Sequence, residues 1–104
     1  MQNIKDIKDR ELVPGIMAKL IHGDKCSLSI VTIEKGTTMK IHQHMHEQIT
    51  YIIDGVLEMV IGGEKMSMPP GTVHVIPSNM PHGAYAVTEV KVIDVFSPVR
   101  EDYK

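Results

Sequence analysis

From Val13 to Phe96 the chain repeats short runs in which every second residue is apolar, separated by breaks of Gly, Pro, Asn and Asp. A period of two sends alternate side chains to opposite faces of an extended strand. The runs predict strands at about 16–22, 26–34, 38–42, 48–54, 56–61, 64–68, 73–76, 83–88 and 90–96. Asp54-Gly55 and Gly62-Gly63, each between two apolar runs, predict tight hairpins. No stretch of ten or more residues carries a helical period. Eight or nine short, closely spaced strands predict an all-β sandwich or closed barrel, which also hides sheet edges. The first eleven residues are charged, with Ile4 and Ile7 three apart, and read as one helical turn or an arm against a partner. The expected organisation is one domain over 1–104: an arm at 1–12, a barrel at 13–97 and a tail at 98–104.

Composition sharpens this picture. Ile (13) and Val (11) far outnumber Leu (4), and β-branched side chains favour pleated sheet over helix. With eight Met, one Phe and no Trp, the core should be aliphatic and pliable. Met39, Met45, Met59, Met66, Met68 and Met80 are expected to fill that core, a few of them lining an apolar pocket wall. The net charge is −2 and the cations are scattered singly, which argues against nucleic acid or an anionic membrane as partner. No apolar run approaches the roughly 20 residues needed to span a bilayer, and the N-terminus lacks an apolar signal segment. A lone Cys26 cannot close an internal disulfide, so it is expected as a buried strand thiol in a cytoplasmic protein.

Six histidines in a chain this short call for a reason. His42, His44 and His46 alternate with Gln43 and Met45, so on an extended strand all three share a face. Neighbours would then stand about 6.7 Å apart and the outer pair about 13 Å. Imidazole nitrogen binds a metal at about 2.1 Å, so one adjacent pair can share an ion and further ligands must come from other strands. The plain alternative is an exposed edge of solvated histidines; three in alternation followed by Glu47-Gln48 favour metal. His46 and Glu47 are expected at the surface, and His22 and His74 as structural or solvated residues.

The spacing Gly36, five residues, His42, one, His44, three, Gln48, six, Gly55 resembles the first motif of the cupin superfamily. Gly71, five residues, Pro77, one, Asn79, two, His82 resembles the second. The family usually has Glu where Gln48 stands, Gly at Asn79 and Asn at Ala86. Asn tolerates the left-handed conformation better than most residues, so the change at 79 is mild. The resemblance implies a double-stranded β-helix, or jelly roll, and a divalent transition metal (Mn, Fe, Ni, Co or Zn) held by His42, His44, Gln48 and His82. An amide oxygen at 48 removes one negative charge from such a site and leaves the cation more Lewis-acidic. Two positions of an octahedron would stay open, as catalysis requires.

The run from 90 to 96 places Val90, Val92, Asp94 and Phe96 on one face of a well-buried strand. An unpaired buried carboxylate is costly, so Asp94 implies an ion pair, a metal shell or acid–base work. The segment Asp-Val-Phe-Ser-Pro-Val-Arg-Glu-Asp-Tyr from Asp94 to Tyr103 resembles the C-terminus of a subgroup of small cupins. That subgroup includes pectin- and alginate-degradation proteins that linearise 4,5-unsaturated uronates. The resemblance implies a metal-dependent isomerase or lyase acting on a small sugar acid, with Asp94 moving the proton. Phe96 would then be an apolar wall, and Arg100, pointing inward, a clamp on the substrate carboxylate. It also implies a homodimer. A cupin dioxygenase and a non-catalytic metal- or sugar-binding module remain as alternatives.

Overall fold

The computed structural model describes residues 1–104 as ten strands and two single-turn 3-10 helices. The strands are β1 (Arg10–Val13), β2 (Ile16–His22), β3 (Ser27–Ile33), β4 (Thr38–His42), β5 (Glu47–Asp54), β6 (Leu57–Ile61), β7 (Glu64–Met68), β8 (Val73–Ile76), β9 (His82–Ala86) and β10 (Val90–Ser97). All pairings are antiparallel. One sheet has six strands in the order β1-β2-β3-β10-β5-β8, the other four in the order β4-β9-β6-β7. The fold is the expected jelly roll, and none of its helices is long and apolar enough to cross a membrane.

The inward face of the larger sheet changes character along the strands. Across β3, β10 and β5 the register aligns Ser27 with Phe96 and Gln48, then Ser29 with Asp94 and Thr50, then Val31 with Val92 and Ile52. Two polar rows therefore lie at one end and aliphatic rows at the other. The aliphatic rows pack against Leu57, Met59 and Ala84 of the smaller sheet in one buried cluster. A fully buried side chain such as Ile52 contributes about 1.5–3 kcal/mol relative to leaving it in water. This core fixes the spacing of the sheets, and the polar rows inherit that spacing at the mouth.

Four details depart from the pattern read along the chain. The arm is not free: its last three residues, with Val13, form β1, which pairs with β2 across the Pro14-Gly15 turn. Asp54-Gly55 is a corner, not a hairpin, because β5 is already flanked by β10 and β8 and β6 must pair with β9. Gly55 sits at φ 79°, and a Cβ there would stand 2.0 Å from the Glu89 carbonyl oxygen. Cys26 is exposed and lies between β2 and β3, so it is not the buried strand thiol expected. Met45 is 59% exposed and is no core filler.

Candidate metal centre and the cavity beside it

His42 owes its position to a bulge. Along β4 and β9, Met39 faces Ala84 and His42 faces His82, so three steps on one strand match two on the other. The extra residue reverses the side-chain parity. Met39 and His42 consequently both line the cavity, whereas on a regular strand they would face opposite ways. Gly83 makes room for the crowded backbone, since a Cβ there would lie 2.9 Å from the Met39 carbonyl oxygen. His82 stands opposite, 2% exposed. His44 follows in the loop after β4, where its carbonyl accepts the Asn79 N–H at 2.8 Å. Asn79 sits at φ 61°, the left-handed conformation for which the family usually has Gly.

These segments bring three rings together. Ring centroids are 4.4 Å apart for His42 and His82, 5.0 Å for His44 and His82, and 5.7 Å for His42 and His44. One potential ligand atom from each lies within 4.8 Å of the others. Each Nδ1 bonds a backbone carbonyl two residues away: Lys40 at 2.9 Å, His46 at 3.0 Å and Met80 at 2.8 Å. A carbonyl only accepts, so each Nδ1 carries the proton and each Nε2 keeps its lone pair. Such outer hydrogen bonds are what orient metal-binding imidazoles. Burial, then the charges of Arg100 and His82, holds the His44 pKa down at about 4, and burial lowers that of His82. Both rings thus stay neutral at ordinary pH.

Gln48 places an amide oxygen beside the three rings. Its Nε2 donates to Thr50 Oγ1 at 2.9 Å and to Asp94 Oδ1 at 3.2 Å, which turns Oε1 toward His44 Nε2 at 3.1 Å. With His44 protonated on Nδ1, two lone pairs face each other across that gap, the arrangement expected of two donors to one cation. Three imidazole nitrogens and an amide oxygen suit a divalent transition ion. The arrangement also explains the amide at 48: a Glu would have no N–H to give Asp94 and would set two carboxylates side by side.

The wall opposite the histidines carries Asp94, Phe96 and Arg100. Thr50 Oγ1 donates to Asp94 Oδ1 at 2.8 Å, so both hydrogen bonds to this half-buried carboxyl fall on one oxygen. Burial pushes its pKa up to about 6 against the pull of those donors. Arg100 points inward, 6% exposed, with its guanidinium 4.6 Å from the Phe96 ring centroid and 4.0 Å from that of Tyr103. Asp102 takes its Nε and Nη2 hydrogen bonds at 3.0 and 2.8 Å. Arg10 of β1 donates to the Tyr103 carbonyl, tying the tail across the cavity. The cavity measures about 50 Å³, room for a few waters.

His46 departs from its expected surface placement. It is 9% exposed, its Nε2–H donates to the Val99 carbonyl at 3.3 Å, and its buried Nδ1 has no partner. β4 ends at His42, so His44 and His46 lie in the following loop rather than on one extended strand; their ring centroids are 5.4 Å apart, but His46 packs under the tail and not into the His42–His44–His82 group. Glu47 opens β5 and is exposed, as expected. His22 is half-buried, 2.8 Å from Ser27 Oγ, and His74 is half-buried on β8. Sequence reasoning missed Thr50, Ser29, Ser27, Asp102 and Tyr103. The first three were detectable as polar residues recurring every second position on the face that carries Val31 and Ile52.

A jelly roll with imidazoles converging at its mouth is the architecture of metal-site cupins. Residues 29–96 match the Cupin domain family, and the chain belongs to it. Within that family it falls with the small pectin-degradation cupins. It is 38% identical over 96 residues to the pectin degradation protein KdgF of Dickeya dadantii (strain 3937), covering 89% of this chain and 87% of that one. The structure of KdgF from Halomonas sp. matches with a TM-score of 0.90 at 34% identity, over 96% of this chain and 94% of that one. The H2HPP isomerase of Bacillus subtilis is 32% identical over 96 residues, 89% of this chain but 41% of that protein. An RmlC-like cupin from Shewanella frigidimarina NCIMB 400 shares the fold, with a TM-score of 0.94 at 23% identity over 100% and 95% of the two chains.

Proposed function

We propose that the protein is a metal-dependent isomerase or lyase that linearises or tautomerises a small sugar acid such as a 4,5-unsaturated uronate. The observation that carries this reading is a group of three imidazoles that keep Nε2 lone pairs, two of which, His42 and His82, line the same cavity as the half-buried carboxyl Asp94. The similarity to a pectin degradation protein supplies the substrate class. His42, His44, His82 and Gln48 would hold one divalent ion, which supplies Lewis acidity toward substrate oxygens.

The chain's own residues do the rest. Thr50 and Gln48 hold Asp94 Oδ1, which leaves Oδ2 to face the substrate. Oδ2 takes the proton of the hemiacetal hydroxyl as the ring C–O bond breaks. The electrons of that bond pass to the departing ring oxygen, giving an enolate, and the enolate carbon then takes the proton back from Asp94 as it becomes a ketone. Proton transfer by a positioned carboxyl is worth about 10²–10⁴-fold. Phe96 gives Arg100 a surface to stack on, and the guanidinium fork matches a carboxylate in a way Lys does not. Asp102 now occupies two of its donors, so a substrate carboxylate competes with Asp102 for the fork.

The test is direct. Protein loaded with each of Mn, Fe, Ni, Co and Zn is given 4,5-unsaturated galacturonate, and the ultraviolet absorbance of the enol ether is followed. Loss of absorbance with wild type but not with Asp94→Asn supports the reading; no loss with any metal refutes it. The proposal includes a homodimer. Ile49, Tyr51 and Ile53 on the outer face of β5 are 39%, 41% and 42% exposed, and Val73 and Val75 pair beside them. An apolar sheet face of this kind marks an interface. Sedimentation showing an 11.6 kDa particle at micromolar concentration would refute the dimer.

A further inference from the structure

Ser27 and Ser29 both point inward from β3, yet the fold engages only one of them. Ser27 Oγ accepts the Arg100 backbone N–H at 2.9 Å and lies 2.8 Å from His22 Nδ1. Ser29 is 1% exposed, lines the cavity, and its Oγ has no hydrogen-bond partner. Buried polar groups are almost always paired, and the next inward residues on β3 are Val31 and Ile33, so an aliphatic side chain would have packed at 29.

Its neighbour across the register is Asp94, and antiparallel partners stand about 5 Å apart. Asp94 Oδ1 takes both the Thr50 and Gln48 hydrogen bonds, and Oδ2 takes none. Two unengaged groups therefore adjoin in the cavity: a carboxylate oxygen and a hydroxyl. One ligand group satisfies both. An alcohol or hemiacetal hydroxyl donates to the carboxylate and accepts from the serine, whereas a carboxylate or keto oxygen only accepts and is repelled by ionised Asp94.

We infer that Ser29 is a substrate-binding residue whose hydroxyl donates to the ligand hydroxyl whose proton points at Asp94. This deepens, and rests on, the sugar-acid reading above; it adds the atom by which a hydroxylated acid is told from a plain carboxylic acid.

The test uses metal-loaded full-length protein, wild type against Ser29→Ala. Titration calorimetry with D-galacturonate is run beside turnover of 4,5-unsaturated galacturonate. A third ligand, tetrahydropyran-2-carboxylate, is a ring acid without hydroxyls. Because Ser29 has no protein partner, the alanine variant should melt no lower than wild type. Its Kd for galacturonate and its KM should rise about tenfold, the worth of one hydrogen bond, while tetrahydropyran-2-carboxylate treats the two proteins alike. Unchanged galacturonate affinity, a melting point several degrees lower, or an equal loss for the hydroxyl-free acid each overturns the inference. If wild type turns over nothing but binds galacturonate through Ser29, the catalytic reading falls and the subsite stands. A wild type that binds no galacturonate overturns the subsite.

Discussion

The two walls of the cavity are held by different kinds of contact. On the histidine wall each ring is fixed by a carbonyl two residues away in the chain, at Lys40, His46 or Met80. On the opposite wall Asp94 is held by Thr50 and Gln48, 44 and 46 positions distant, and the Arg100 backbone N–H by Ser27, 73 positions distant, although the Arg100 guanidinium itself is held locally by Asp102. A contact made within two residues survives wherever the local backbone does. A contact across two strands exists only after the sheet has paired in register. The histidine wall is thus a local device that the fold gathers, and the Asp94 wall is a product of the fold itself.

Breaking one wall should leave the other standing. His82→Ala removes the buried ring of the triad. Metal affinity should fall by more than the roughly 10–100-fold typical of losing an outer hydrogen-bond partner, and turnover should vanish; elemental analysis after dialysis checks the first. Asp94→Asn should retain metal and lose turnover by about 10²–10⁴-fold. Equal metal loss in both variants would mean that the walls are not separable.

Gly83→Val attacks the bulge that aims His42. Its side chain would press on the Met39 carbonyl and on Ile41, costing about 1–3 kcal/mol as overpacking does, with weakened metal binding measured on the same samples. The walls should also titrate in opposite senses when metal is absent. Asp94, raised to about 6, binds its proton more tightly folded than unfolded, so its share of stability declines as pH rises from about 4 to 6. His44, lowered to about 4, binds its proton less tightly folded, so its share declines as pH falls from about 6.5 to 4. Each share is at most about 3 kcal/mol. Melting curves should show Asp94→Asn gaining on wild type toward pH 6, and His44→Gln gaining toward pH 4. The smallest effect belongs to Arg100→Lys, which keeps the charge but loses the fork and the stacking on Phe96 and Tyr103. KM should rise about tenfold with kcat little changed, as for loss of uniform binding.

The same division explains what could be read without a structure. The nine expected strands match β2 to β10 within a residue or two, because period-two alternation and turn residues are local. β1 escaped notice because Arg10–Val13 offers only Leu12 to the interior. The Asp54-Gly55 signal is the same for a hairpin and a corner; the outcome depends on whether both edges of β5 are already paired. His46 reads as a surface residue until Val99 of the tail covers it.

Chain order alone was enough to specify the strands and the inward side of Asp94, which follow from short-range periodicity, while the jelly roll and the grouping of His42, His44 and His82 rested on the resemblance of the two spaced motifs to the cupins. Only the folded molecule decided which way the Gln48 amide turns, that Asp94 keeps one oxygen free, that Arg100 lies across Phe96, and that Ser29 is buried without a partner. Those outcomes depend on atoms dozens of positions apart meeting across paired strands, and no local pattern encodes such a meeting.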